Sequence, residues 1–288
     1  GRFSAIIPTN LQQENLFMRI TRFLDAAGQV RAGIDLGGGK AELLASPDAL
    51  DPIESIGETA EIHQRLAPIA PRNIFCIGLN YREHARETGA ELPEHPVIFM
   101  KPTSAVSPPG DDIVLPACAI RGPEVDYECE LAVVIGKAGK DIRVPDALDH
   151  VLGYTVANDV SARRWQKHAG GSQWVRGKSF DSFCPLGPVL VTADEVEDPQ
   201  TLQLRTTLNG ETMQDSSTSD MIFTVAELIA FLSQDTTLLP GTVILTGTPA
   251  GVGVARKPRV FLTAGDEVTV EIDRIGKLTS KVREAGEK

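Results

Sequence analysis

The sequence has 288 residues, of which 42% are hydrophobic and 23% charged, and these values are ordinary for a soluble globular protein. A net charge of −11 at pH 7 argues against nucleic acid or an anionic membrane as the main partner, because both attract positive surfaces. No apolar run approaches the roughly 20 residues of a membrane-spanning helix. The four cysteines form no C-x-x-C pair, which indicates free thiols in a reducing compartment. We expect a cytoplasmic protein, or a mitochondrial matrix protein if the source is eukaryotic.

The first part of the chain divides into two segments. Residues 1–17 lack the basic start and long apolar stretch of a signal peptide, and we interpret them as a leader or an expression-derived extension. A trimmed transit peptide is the alternative. From residue 18 to about residue 70, strand patterns at Arg19–Leu24, Val30–Asp35 and Lys40–Leu44 predict a small β-rich N-terminal domain. We predict that residues 71–288 form a second, larger domain.

Short β-branched runs separated by Gly and Pro dominate the rest of the chain. They predict strands at Ile74–Ile77, Val97–Met100, Leu131–Ile135, Gly153–Ala157, Val189–Val191, Leu202–Leu208, Val243–Thr246 and Glu267–Ile272. Helical patterns are limited to Tyr81–Thr88, Val160–Lys167 and Val225–Leu232. Because strands outnumber helices and do not alternate with them, we predict an α+β protein with a large mixed β-sheet core.

Two glutamates in the segment VDYECELAVVIG are the first candidates for a functional site. Side chains alternate along a strand, so Glu128 and Glu130 point to the same face. They could lie on the solvated face of an edge strand, although the apolar residues that follow favour an interior strand. Alternatively, they could bind a divalent cation through oxygen ligands. Asp159 could be a third ligand or the N-cap of the next helix.

Several motifs in the same order resemble those of the fumarylacetoacetate hydrolase superfamily. These motifs are GLNYREHARETG, VIFMKPTSA, YECELAVVIG, NDVSAR, GKSFDSFCPLGP and LTGTPAGVGV. The resemblance covers residues 74–270 and implies a rolled mixed β-sheet, a small N-terminal domain and a homodimer. It also implies a Mg²⁺ or Mn²⁺ site formed by Glu128, Glu130 and Asp159.

The resemblance also suggests roles for other residues. His84 and Glu87 lie three residues apart on one helix face, where a carboxylate can orient the imidazole of a general base; an exposed polar turn is the alternative. Lys178 would lie beside the metal and either stabilise enolate charge or donate a proton. The proton-donating role would require a lowered pKa. The candidate substrate-binding residues are Arg163, Gln166, Thr248 and Lys101. The glycine-rich run around Thr248 lacks the G-K-[ST] ending of a phosphate-binding loop.

The expected chemistry is that of a metal-dependent enzyme acting on a 2-oxo or 2,4-dioxo acid through a stabilised enolate. We rank hydrolysis of a C–C bond in an acylpyruvate first, because a dyad of His84 and Glu87 could activate water. Residues 172–188 are most similar to a branch of the superfamily associated with oxaloacetate, so keto–enol tautomerisation or decarboxylation of oxaloacetate is the alternative. Hydrolysis of a 2,4-dioxo-3-deoxy sugar acid and a non-catalytic, metal-bound scaffold also stay open.

Overall fold

The computed structural model describes residues 18–48, 50, 53–119, 124–168 and 171–286. The segment interpreted as a leader lies outside these residues. None of the helices in the described ranges is both long and apolar enough to cross a membrane.

The N-terminal segment forms an antiparallel arrangement of short strands. These are β1 (Arg19–Leu24), β2 (Val30–Gly37), β3 (Lys40–Leu44), β4 (Ser55–Glu61) and β5 (Gln64–Leu66). The bounds predicted for β1 and β3 are confirmed to the residue, and β2 extends further than predicted. The turn between β2 and β3 is made by three glycines with positive φ, a conformation that other residues rarely adopt.

The middle of the chain supplies most of the elements around the candidate site. These are β6 (Asn73–Gly78), α1 (Arg82–Thr88), β7 (Val97–Lys101), β8 (Val106–Ser107), β9 (Ile113–Leu115), β10 (Val125–Asp126), β11 (Cys129–Ile135), β12 (Val151–Asn158), β13 (Ser161–Ala162), α2 (Arg163–Lys167), α3 (Trp174–Gly177) and β14 (Cys184–Thr192). The helix predicted from Val160 begins only at Arg163, because the two residues before it pair with β10 instead.

The C-terminal part completes the fold with β15 (Gln203–Leu208), β16 (Glu211–Ser217), α4 (Val225–Leu232), β17 (Thr242–Leu245), β18 (Glu267–Ile272) and β19 (Gly276–Glu284). The bounds predicted for α4 are confirmed, and its first turn has a capping box between Thr224 and Glu227. Asn209 and Gly210 both have positive φ and form the tight turn between β15 and β16.

Two sheets pack together to form the core. The large one has 12 strands in the order β4-β3-β2-β1-β14-β12-β11-β17-β6-β7, with β5 on β1 and β8 on β14. The second has the order β16-β15-β18-β19-β9. Leu131 and Val133 of β11 pack with residues of β15, β18 and α4 in one apolar cluster. This confirms the mixed, sheet-rich α+β fold. The N-terminal strands join the large sheet through β1 and β14, and a domain boundary near residue 70 stays a prediction.

Candidate active site and metal centre

Three buried carboxylates lie together at one end of β11 and β12. Glu128, Glu130 and Asp159 each offer one oxygen, and these oxygens lie within 4.8 Å of one another. The edge-strand alternative is wrong, because β11 lies between β12 and β17 inside the large sheet. The N-cap alternative for Asp159 is also wrong, because Ala162 occupies that position of α2. The backbone N–H of Asp159 instead donates to the carbonyl of Glu128 at 2.9 Å.

Lys178 forms a buried bridge between two of these carboxylates. Its Nζ lies 2.5 Å from Oε2 of Glu128 and 2.6 Å from Oδ2 of Asp159. Burial opposes the charge of Glu128, but Lys178 and Arg163 outweigh it and lower the pKa of Glu128 to about 2. Burial also opposes the charge of Lys178, yet the two carboxylates raise its pKa. The proton-donating role required the opposite shift, so this arrangement favours charge stabilisation.

Lys101 lies on the other side of Asp159, where its Nζ is 2.6 Å from Oδ1 and its side chain is fully buried. The same ammonium donates to the carbonyls of Lys178 at 2.5 Å, Phe183 at 2.7 Å and Val160 at 3.2 Å. An ammonium has three protons, so these four acceptors leave none for a substrate. The geometry therefore favours a role for Lys101 in holding Asp159 rather than the direct substrate contact suggested by the sequence.

We expect replacement of Lys101 by Met to lower the free energy of unfolding by about 3–5 kcal/mol, because it leaves Oδ1 of Asp159 and the carbonyls of Val160, Lys178 and Phe183 without this buried partner. Urea unfolding in the presence of a chelator measures this change. Lys140→Met is the matched control. Among the described residues the only ion pair of Lys140 is with the exposed Asp235 at 3.5 Å, so this substitution should change stability by less than about 0.5 kcal/mol. Equal changes in the free energy of unfolding for the two substitutions would contradict the role of Lys101 in holding Asp159.

The buried charges around the cluster do not balance. Among the described residues, four buried carboxylates lie against three buried cationic side chains: Asp126, Glu128, Glu130 and Asp159 against Lys101, Arg163 and Lys178. Within the described ranges Glu130 forms no ion pair, and its Oε2 accepts a hydrogen bond from the N–H of Gly247 at 2.7 Å. Burial, and then the neighbouring Asp159 and Glu128, raise the pKa of Glu130. A divalent cation would convert this repulsion into attraction, and an all-oxygen donor set fits Mg²⁺ or Mn²⁺.

Arg163 begins α2 and has one nitrogen available to a ligand. Its Nη1 lies 2.6 Å from Oε1 of Glu128 and donates to Oε1 of Gln166 at 3.0 Å. Its Nη2 is buried and has no hydrogen-bond partner in the part of the chain that the structure describes. A buried donor without a partner is costly, so this nitrogen is suited to bind an anionic substrate. Gln166 is also buried, one turn along the same helix.

His84 and Glu87 form the expected dyad on α1. Nδ1 of His84 lies 2.6 Å from Oε1 of Glu87, and Oε2 of Glu87 accepts the N–H of Gly251 at 3.0 Å. The two side chains are 13% and 22% exposed, and the alternative of an exposed polar turn stays open. His84 lies close enough to Glu128 to contribute to the lowering of the pKa of that carboxyl group. The dyad therefore lies near the acidic cluster, with Nε2 of His84 directed away from Glu87.

Thr248 is buried and already engaged by the protein. Its hydroxyl donates to the carbonyl of Cys129 at 3.0 Å and accepts from Nε2 of Gln214 at 2.9 Å. Gln214, which the sequence analysis did not select, also accepts the N–H of Cys129 at 3.0 Å. These bonds fix the start of β11 between the two glutamates. Contact of Thr248 with substrate stays a prediction.

The glycine-rich segment 247–254 holds carboxylates from three different elements. Its backbone N–H groups donate as follows: Gly247 to Glu130 at 2.7 Å, Gly251 to Glu87 at 3.0 Å, and Gly253 to Asp126 at 2.8 Å. The run lacks the G-K-[ST] ending of a phosphate-binding loop, and no local sequence pattern indicates that it holds carboxylates.

Comparisons with known proteins identify the family. Residues 73–283 match the family model described as the fumarylacetoacetate (FAA) hydrolase C-terminal domain. A Bos taurus protein named "Oxaloacetate tautomerase FAHD2A, mitochondrial" is 54% identical over 218 residues, which cover 75% of this chain and 68% of the relative. The Xenopus laevis protein "Oxaloacetate tautomerase fahd2, mitochondrial" is 46% identical over 278 residues, covering 96% and 82%.

Solved structures lead to the same grouping. A fumarylacetoacetate hydrolase from Exiguobacterium antarcticum superposes with a TM-score of 0.82 at 36% identity, covering 93% of this chain and 99% of that one. A 5-carboxymethyl-2-hydroxymuconate delta-isomerase from Mycobacterium smegmatis gives 0.80 at 38% identity, covering 93% and 100%. The fold, the motifs and the sequence match together show that this chain belongs to the fumarylacetoacetate hydrolase family.

Proposed function

We propose that the chain is a divalent-metal-dependent oxaloacetate keto–enol tautomerase. The observation that carries the proposal is that the chain has both the cluster of three carboxylates and the dyad of His84 and Glu87, and is 54% identical to a protein named oxaloacetate tautomerase. The names of the relatives favour this alternative over the C–C hydrolysis ranked first from the sequence.

Glu128, Glu130 and Asp159 would hold the Mg²⁺ or Mn²⁺ ion, which supplies positive charge where negative charge develops on the substrate oxygens. Nη2 of Arg163 would donate to the carboxylate or the 2-oxo oxygen of the substrate. Lys178 is held as a cation by its two carboxylates and would stabilise the charge of the enolate.

His84 would move the proton. Because Glu87 holds its Nδ1, Nε2 is the nitrogen that can accept a proton from C3 of the keto acid and return it to the oxygen on C2. In this exchange one C–H bond breaks and one O–H bond forms, and no water is consumed. Hydrolysis would instead require the same nitrogen to take a proton from water.

The deciding experiment gives metal-loaded protein either oxaloacetate or acetylpyruvate and measures enol absorbance, pyruvate and carbon dioxide. We expect accelerated loss of the oxaloacetate enol with no pyruvate above the spontaneous rate. Faster pyruvate release from acetylpyruvate would reinstate the hydrolase, and pyruvate with carbon dioxide from oxaloacetate would indicate a decarboxylase. Turnover of neither compound would favour a sugar-derived substrate or a scaffold.

We also propose that the chain acts as a homodimer in a reducing compartment, the mitochondrial matrix if the source is eukaryotic. The bovine and Xenopus relatives carry the word mitochondrial in their names. All four cysteines are free thiols, and three of them are buried. Light scattering should give twice the mass of one chain, and the mass of a single chain would contradict the dimer.

A further inference from the structure

Asp126 is a fully buried carboxylate to which the sequence analysis gave no role. Its Oδ1 accepts the backbone N–H groups of Tyr127 at 2.9 Å and Gly253 at 2.8 Å. Its Oδ2 accepts the N–H of Val254 at 2.9 Å and Nε of Arg163 at 2.8 Å. Four donors therefore hold this carboxylate in one position, and one of them belongs to the side chain that offers an unpartnered nitrogen at the site.

The contacts of Arg163 determine where that nitrogen lies. The guanidinium group is planar, so fixing two of its nitrogens fixes the third. Asp126 fixes Nε at 2.8 Å, and Glu128 fixes Nη1 at 2.6 Å. The remaining Nη2 is the buried donor without a partner among the described residues. Without Asp126, the remaining contacts with Glu128 and Gln166 would both be made by Nη1, so the group could rotate about that one nitrogen.

Gly253 shows how closely the chain approaches Asp126. A Cβ atom at this position would lie 2.7 Å from Oδ1 of Asp126 and 1.8 Å from the carbonyl oxygen of Val260. No side chain fits there without moving backbone, so the close approach of the segment to Asp126 requires glycine. Asp126, which holds Arg163, is therefore itself held in place by backbone atoms.

We propose that Asp126 is a positioning residue that acts through Arg163: it holds the guanidinium plane so that Nη2 meets the carboxylate or 2-oxo oxygen of the substrate. The inference rests on the proposed function to the extent that the substrate is a 2-oxo acid anion. Asp126 itself does not touch the substrate.

A double-mutant cycle tests this coupling in the full chain loaded with Mn²⁺. The proteins are wild type, Asp126→Asn, Arg163→Ala and the double variant. The readouts are oxaloacetate ketonisation and calorimetric binding of oxalate, a planar dianion with adjacent oxygens like those of a 2-oxo acid. We expect Asp126→Asn to lower kcat/KM and oxalate affinity by about 10- to 100-fold, with most of the kinetic loss in KM. The double variant should be no worse than Arg163→Ala.

Asp25→Asn is the matched control. Asp25 accepts two backbone N–H groups, from Ala27 and Gln29, and also Nε of Arg31, but it lies in the β1–β2 turn. This variant should keep wild-type kinetics and oxalate affinity. If the fold-losses in kcat/KM and oxalate affinity of Asp126→Asn and Arg163→Ala multiply in the double variant, the two residues act independently. That result would overturn the proposal. Unchanged oxalate affinity in Asp126→Asn would also overturn it.

Arg163→Lys keeps the inference testable if Asp126→Asn does not fold. A lysine has one nitrogen and cannot contact Asp126 and Glu128 while offering a third donor, so it should lose as much oxalate affinity as Arg163→Ala. Wild-type affinity in Arg163→Lys would overturn the proposal, as would a wild-type protein that does not bind oxalate. Oxalate binding that shows the coupling, without oxaloacetate turnover, would instead overturn only the proposed function.

Discussion

Glu130→Gln should lower oxaloacetate turnover by at least about 1,000-fold, because it removes the negative charge that completes the proposed metal site. Glutamine has nearly the shape of glutamate, and its carbonyl can still accept the N–H of Gly247. The loss should therefore come with weaker Mn²⁺ binding and not with misfolding. Calorimetric titration with Mn²⁺ and a kinetic assay on the same preparation measure the two effects.

Glu130→Gln should not destabilise the metal-free protein, although it lowers turnover and Mn²⁺ binding. Glu130 is a buried carboxylate that forms no ion pair in the described ranges, so neutralising it removes repulsion from Asp159 and Glu128. In chelator, we expect the free energy of unfolding of Glu130→Gln to equal or exceed that of wild type. Glu211→Gln, at a surface glutamate that is 74% exposed, is the control for the substitution itself. Full Mn²⁺ affinity and turnover in Glu130→Gln would contradict the metal site.

His84→Asn should lower kcat by about 100- to 10,000-fold while leaving Mn²⁺ and oxalate affinities near those of wild type. The reason is that His84 supplies the proposed proton-carrying nitrogen but lies outside the acidic cluster and forms its hydrogen bond with Glu87. Glu87→Gln should show a smaller loss of the same kind, since it weakens the orientation of the imidazole. Stopped-flow absorbance of the enol measures both variants.

Glu83→Gln is the matched control for the dyad. It lies on the same helix, is 50% exposed, and its side chain pairs only with Arg86 in the region described. Its kinetics should match those of wild type. Wild-type turnover in His84→Asn would assign the proton transfer to another group, and a loss in Glu83→Gln equal to that in His84→Asn would point to a general effect on α1.

The elements with the strongest local sequence patterns could be predicted from the sequence. The strand patterns of β1 and β18 and the helical pattern of α4 correctly predicted the bounds of those elements. β14 was predicted too short, because its first half, Cys184-Pro-Leu-Gly-Pro, contains residues that usually end strands. Its pairing with β12 and β1 decides its length, and a local pattern does not contain that information.

The acidic cluster was recognisable for a similar reason. Period-two alternation places Glu128 and Glu130 on one face, and the same alternation could have identified Asp126, which lies two residues earlier. Its role depends on Arg163, 37 residues away, and on backbone from segment 253–254. Such contacts arise from the tertiary fold, as does the contact of Lys101 with Asp159, which no local pattern around this predicted substrate-binding residue indicates.

One measurement tests the central claim most directly: the rate of enol-oxaloacetate loss with wild-type protein that is first stripped of metal and then resupplied with Mg²⁺ or Mn²⁺. We predict no acceleration over the buffer rate in the stripped protein and restoration by the added ion, with no pyruvate formed by the protein. Acceleration that persists unchanged in the stripped protein would contradict a function that depends on a metal held by Glu128, Glu130 and Asp159.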